Sequence, residues 1–169
     1  MRGTVALFLT LYLLRALVAE VNNSLSGLHI WLFAGGLFVA YSALMMPFRP
    51  GFVATLLAGL LCDSVTPVPF GTHAFLFSAA HIIVFNLRER MQRDDTAVRV
   101  IAALLINAGL FLALTFVRIR VAHGGAAAWP RMLSDLAWSE VAIAVAAPWF
   151  FALQLRTLEI ARANLSRLA

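Results

Sequence analysis

Apolar residues run along this chain in long stretches, and the polar ones gather between them. Leu28 to Met46 and Ile101 to Val117 carry almost no charge. Each approaches the roughly 20 residues a helix needs to cross a bilayer. Six such segments are predicted. The first runs from about Gly3 to Val21 and leads into a polar turn of Asn22, Asn23, Ser24, Ser26 and Gly27. The second, Leu28 to Met46, stops at Pro47-Phe48-Arg49-Pro50-Gly51, where two prolines force a tight reversal. The third, Phe52 to about Val65, covers only about 20 Å, less than the ~30 Å hydrocarbon core. It is either a tilted or partly sunken helix or half of a re-entrant hairpin. The fourth runs from Thr72 to Leu87, and the charged stretch Arg88 to Asp95 after it is expected in water. The fifth spans Ala97 to about Val117, followed by a loop from Arg118 to Arg131 with Gly124-Gly125 at its centre. The sixth runs from Leu133 to Leu155. Beyond it, Thr157 to Leu168 sets leucines and an isoleucine among arginines at helical spacing, the pattern of a basic helix on a membrane surface.

Composition turns these segments into a fold class. The chain is 62% hydrophobic and only 12% charged, with a mean hydropathy of +0.89. A soluble domain carries about twice that charged share. The expectation is an all-α, polytopic integral membrane protein with six transmembrane segments and a single domain over residues 1–169. Arg2 before an apolar stretch also resembles a signal peptide, but Arg15 and Glu20 interrupt its end and Leu17-Val18-Ala19 is a poor cleavage site. An uncleaved first helix fits better. The net charge of +5 comes from thirteen arginines and no lysine. With the N-terminus inside, Arg2, Arg49, Arg88, Arg90, Arg93, Arg99, Arg156, Arg162 and Arg167 face the cytoplasm, against Arg118, Arg120 and Arg131 outside. That asymmetry places both termini in the cytoplasm. Because the arginines flank apolar runs, they read as topology signals rather than a nucleic-acid surface. Cys62 is the only cysteine, so no intrachain disulfide can form.

The polar residues inside this apolar frame are the candidates for chemistry. Gly59-Leu-Leu-Cys-Asp63 ends one apolar run, and Pro67-Val-Pro69-Phe-Gly71-Thr-His73 starts the next. A carboxylate at membrane depth is costly unless paired, hydrated or protonated, which makes Asp63 a functional candidate; as a plain alternative it ends a helix or caps a turn. A hydrogen bond from His73 to Asp63 would be a structural clasp. His73 and His81 lie eight residues apart and can share a helix face, but they do not form an i, i+4 metal pair. Asp135 and Glu140 are placed to answer Arg118 and Arg120. Asn107 is an interhelical polar contact, Arg15 snorkels or pairs with another segment, and Glu20 reaches the outer interface. Trp129, Trp138 and Trp31 fit an outer aromatic belt. Small residues at Gly35, Gly36, Ala40, Ala54, Ala58 and Gly59 permit close helix approach. No second carboxylate stands near Asp63 in sequence, no serine elbow is present, and no cofactor motif is found. The residues favour a protein without catalysis of its own.

The stretch from Ala58 to Ala74 resembles the signature of the bacterial rod shape-determining protein MreD family. Gly59, Asp63, Pro69, Gly71 and His73 occupy the matching positions, and the length, six-segment layout and short loops agree. The proline-rich Thr66-Pro67-Val68-Pro69 departs from the family's usual Ser-Gly-x-Pro turn. The resemblance implies a non-catalytic inner-membrane scaffold of the cell-elongation machinery. Its partners would be an MreC-like protein and, through it, MreB filaments, a RodA-like glycosyltransferase and an elongation-specific penicillin-binding protein. It also implies a fold similar to the S components of energy-coupling-factor transporters. The alternative is therefore a small-molecule-binding S-component-like subunit, with a polar pocket near the Asp63 turn.

Overall fold

Six α-helices account for most of the chain in the structure, a computed structural model that describes residues 2–28, 30–90, 95–122 and 129–166. They are α1 (Arg2–Leu25), α2 (Gly35–Met45), α3 (Phe48–Asp63), α4 (Thr72–Leu87), α5 (Thr96–Ala122) and α6 (Trp129–Ser166). No strand occurs among the described residues. Among the described residues, two stretches are long and apolar enough to cross a membrane, Thr96–Arg120 in α5 and Trp129–Arg156 in α6.

The helices alternate in direction. One end of the bundle collects the C-terminal ends of α1, α3 and α5 and the N-terminal ends of α2, α4 and α6. At the centre stands α2, the shortest helix, against α3, α4, α5 and α6. Every residue from Gly36 to Leu44 is buried, as expected of a helix that is apolar on all sides. Tyr41 lies edge-on to Phe150 of α6, with ring centroids 5.9 Å apart. Close approach depends on glycine at two crossings. A Cβ on Gly36 would lie 2.3 Å from the Asn107 Cα of α5, and one on Gly59 would lie 2.4 Å from the Ala74 Cα of α4. No side chain larger than hydrogen fits between these backbones.

Several predicted boundaries move. The second segment is not a helix from Leu28: residues 30–34 are non-helical, and α2 begins only at Gly35. The polar turn predicted after Val21 is instead helix to Leu25 and then a single 3₁₀ turn, Ser26–Leu28. The third helix starts four residues early, because Pro47 takes the cap position and Pro50 falls in the first turn, where a missing N–H costs no bond. Arg118 and Arg120 belong to α5 rather than to a loop, and α6 continues unbroken into the basic tail as far as Ser166. Arg88 does not stand in water. Its Nη1 donates to the Met46 carbonyl at 2.9 Å, and its guanidinium lies 3.6 Å from the Phe85 ring centre. A cation there covers the open carbonyls at the end of α2. The fourth helix, Thr72–Leu87, has the predicted bounds. Residues 91–94 and the Gly124-Gly125 loop centre lie outside the described residues.

Candidate functional site

The Asp63 turn is built around one carboxylate. Helix α4 starts at Thr72 behind Gly71, whose φ of 96° is left-handed and which has no side chain to cap the helix. The first amides of a helix have no partner within it. Asp63, the last residue of α3, supplies one from across the turn. Its Oδ1 accepts the His73 N–H at 2.9 Å, and its Oδ2 accepts those of Ala74 at 3.1 Å and Gly71 at 3.0 Å. His73 and Ala74 are the second and third residues of α4, the positions a local cap side chain would serve. The His73 ring completes the set, with Nδ1 2.8 Å from Oδ1. An ionised carboxylate only accepts, so Nδ1 carries the proton. Asp63 and His73 are 5% and 2% exposed, so four donors converge on a carboxylate shut away from solvent. Pro69 accepts the Thr72 N–H at 3.1 Å and its hydroxyl at 2.6 Å, and Gly59 brings α3 against this start of α4.

A second polar group lies around the non-helical segment 30–34. Its backbone is fastened from both sides. Asn22 of α1 donates to the Leu32 carbonyl at 2.9 Å and accepts the Leu32 N–H at 2.7 Å. On the other side, Asp135 accepts the Trp31 N–H at 3.1 Å and Ser139 Oγ accepts that of Phe33 at 3.0 Å. Successive residues turn to opposite sides, the alternation of extended backbone. Asp135 and Ser139 stand four apart on α6, one turn, and so present a matching row. Asn107 continues it, accepting the Gly36 N–H at 3.1 Å and donating to Glu140 at 3.0 Å. The acids predicted to answer Arg118 and Arg120 are thus engaged elsewhere: Asp135 holds backbone and Glu140 holds Asn107. Backbone donors that have left a helix need partners more than flexible arginines do. Arg15 reaches across to α3, donating to the Leu61 carbonyl at 2.7 Å.

His81 shares the face of His73 but serves a separate cluster that the sequence pattern did not reveal. Ser42 Oγ and Thr55 Oγ1 lie 2.8 Å apart, and His81 Nδ1 is 3.2 Å and 3.3 Å from them. Thr55 donates to the Gly51 carbonyl at 2.7 Å and Ser42 to that of Val39 at 3.0 Å. Each hydroxyl carries one proton, so Ser42, Thr55, the His81 ring and these two carbonyls share their donors in one network. All three residues are fully buried, so this serine–histidine contact offers no approach to a substrate. The missed signal was modest: Ser42 stands in α2 among large apolar residues, and Thr55 in α3 beside Gly51, Ala58 and Gly59.

Between these features lies a cavity of about 210 Å³. It is lined mainly by apolar side chains of α1, the 31–35 segment and α4, with Arg15, His73 and Arg118 among them. Among the described residues no group of three His, Cys, Asp or Glu side chains is placed to hold a metal ion. A comparison of the chain with protein families, with curated proteins and with solved structures finds no match.

Proposed function

We propose that this protein is a non-catalytic scaffold of a bacterial inner membrane, of the rod shape-determining MreD kind. In this reading it crosses the bilayer six times with both termini in the cytoplasm, in an arrangement similar to energy-coupling-factor S components. It joins an MreC-like protein to the machinery of lateral peptidoglycan synthesis: MreB filaments, a RodA-like glycosyltransferase and an elongation-specific penicillin-binding protein. The observation that carries the reading is the use made of Asp63. All four of its contacts are structural donors, so the carboxylate organises a turn and has no oxygen left over for a reacting group. The outward surface is apolar at Phe75, Leu105, Val145 and Trp149, which are 73%, 68%, 68% and 80% exposed, as suits contact with lipid or with partner helices. Purification in mild detergent is expected to bring down a single-span MreC-like protein. Recovery of a transporter ATPase module in its place would refute the proposal.

The cavity beside Arg15 and Arg118 favours a second reading, that of a ligand-binding subunit of a membrane transporter. Discontinuous helices with their N-terminal ends at a binding site are a recurrent transporter device, and α2 begins at Gly35 on the wall of this cavity. Association with an ATPase module is the outcome that would decide for it.

A further inference from the structure

The cavity walls are mostly apolar; of their polar residues, Asn22 and Thr66 are bonded to backbone and the rest form a group of bases. Arg15 from α1, Arg118 from α5 and His73 from α4 all line it, and no acidic residue does. No carboxylate among the described residues pairs with either arginine. Arg15 is held by one neutral carbonyl, Leu61 at 2.7 Å. Arg118 makes no hydrogen bond or ion pair among the described residues, and its Nε is sealed from solvent without an acceptor. Three acids at this end are otherwise occupied, Asp63 by the α4 amides, Asp135 by Trp31 and Glu140 by Asn107, and Glu20 is exposed on α1 outside the cavity wall. Two permanent cations in an apolar recess, one with an unfilled buried donor, make an arrangement that an anion would complete. Arginine forks suit the oxygens of phosphate, and they bind it most strongly where water is excluded.

Size narrows the ligand. A cavity of 150 Å³ holds benzene, so by proportion about 210 Å³ takes roughly eight non-hydrogen atoms. That is a phosphate group with a three-carbon body, too much room for phosphate alone. We propose that this cavity binds the phosphate of an amphiphile, such as a glycerophospholipid headgroup, with the anion on Arg15 and Arg118 and the apolar body toward Phe77 and Val18. The site rests on the cavity and its charges. It does not depend on which partner the protein has, so its failure would leave the scaffold reading where it stands.

The test is titration of the full chain in a neutral detergent, followed by native mass spectrometry and thermal stability. The probes are dihexanoylphosphatidylglycerol, dihexanoylglycerol and inorganic phosphate. The phospholipid is expected to bind one to one and stabilise the protein, whereas dihexanoylglycerol does not bind. Inorganic phosphate should bind at least about tenfold more weakly than the phospholipid. Arg118→Gln should weaken phospholipid binding at least about tenfold, the scale of one charged hydrogen bond. Arg131→Gln, an exposed arginine outside the cavity wall, should leave it unchanged. Should Arg118→Gln not fold, Val18→Phe fills the cavity without touching its charge and is expected to abolish binding. Equal binding of dihexanoylglycerol, equal losses in the two arginine variants, full binding by Val18→Phe, or inorganic phosphate as tight as the phospholipid would each overturn the proposal.

Discussion

Replacing Asp63 by asparagine probes the turn most directly, because it preserves shape and removes acceptors. The carboxylate holds two donors on each oxygen: His73 N–H and Nδ1 on Oδ1, Gly71 and Ala74 N–H on Oδ2. Asparagine keeps one acceptor oxygen and turns an amide NH₂ toward the other two donors, so half the set is lost. A hydrogen bond to a charged group contributes about 1.5–3 kcal/mol, and loss of a helix cap alone costs about 0.5–2 kcal/mol. Because these effects overlap, we expect Asp63→Asn to cost about 2–4 kcal/mol. Asp63→Ala abandons all four donors and should reach about 3–5 kcal/mol, as when one partner of a buried pair is removed. Unfolding by sodium dodecyl sulfate in mixed micelles measures the global cost. Amide hydrogen exchange gives a local reading: the Gly71, His73 and Ala74 amides should exchange faster by about 30-fold or more in Asp63→Asn. Phe75, whose N–H is bonded to the Gly71 carbonyl at 2.9 Å, should change less. A stability within about 0.5 kcal/mol of wild type, or equal losses for Asn and Ala, would refute the argument from acceptor count.

Other substitutions test separate parts of the account. Gly36→Ala should destabilise by about 1–3 kcal/mol, since its Cβ would strike the α5 backbone at Asn107. Gly109→Ala, with nothing within 4 Å of the added carbon, should be neutral or gain up to about 1 kcal/mol from helix propensity; equal effects in the two would dispose of the close-packing argument. At Gly71, alanine meets open space but must adopt φ 96°, so a loss of about 1–2 kcal/mol is expected from backbone conformation alone. Asn22→Leu removes both side-chain bonds to Leu32 and should speed exchange of the Leu32 amide while leaving α4 protected. Unchanged exchange at Leu32 would show that Asn22 does not hold that segment.

What the residue pattern discloses depends on punctuation. Helix α4 was legible to the residue because Gly71 precedes it and Arg88 ends its apolar run. The Asp63 and His73 contact was legible as well, since a short turn brings a carboxylate and an imidazole within reach. The start of α2 was not. An apolar stretch looks the same whether helical or extended, and the hints toward an extended form, Ile30, Trp31 and Phe33 before a glycine pair, are weak on their own. Pairing Asp135 and Glu140 with nearby arginines failed for a related reason. Once residues 30–34 are not helical, their amides become competing donors, and that demand is invisible until the backbone is known. The Ser42–Thr55–His81 cluster joins three helices through residues that no spacing rule connects.

The fastening of residues 30–34 sets a timetable for assembly. Asp63 meets its donors within eight to eleven residues, so the α3–α4 hairpin can close as soon as it has been made. Trp31 and Phe33, by contrast, wait for acceptors 104 and 106 residues further along the chain. Without α6, these two amides lack the acceptors that hold them in the finished fold. The approach to the central helix is therefore completed only by the last helix of the chain, whereas the α3–α4 turn is complete within its own hairpin.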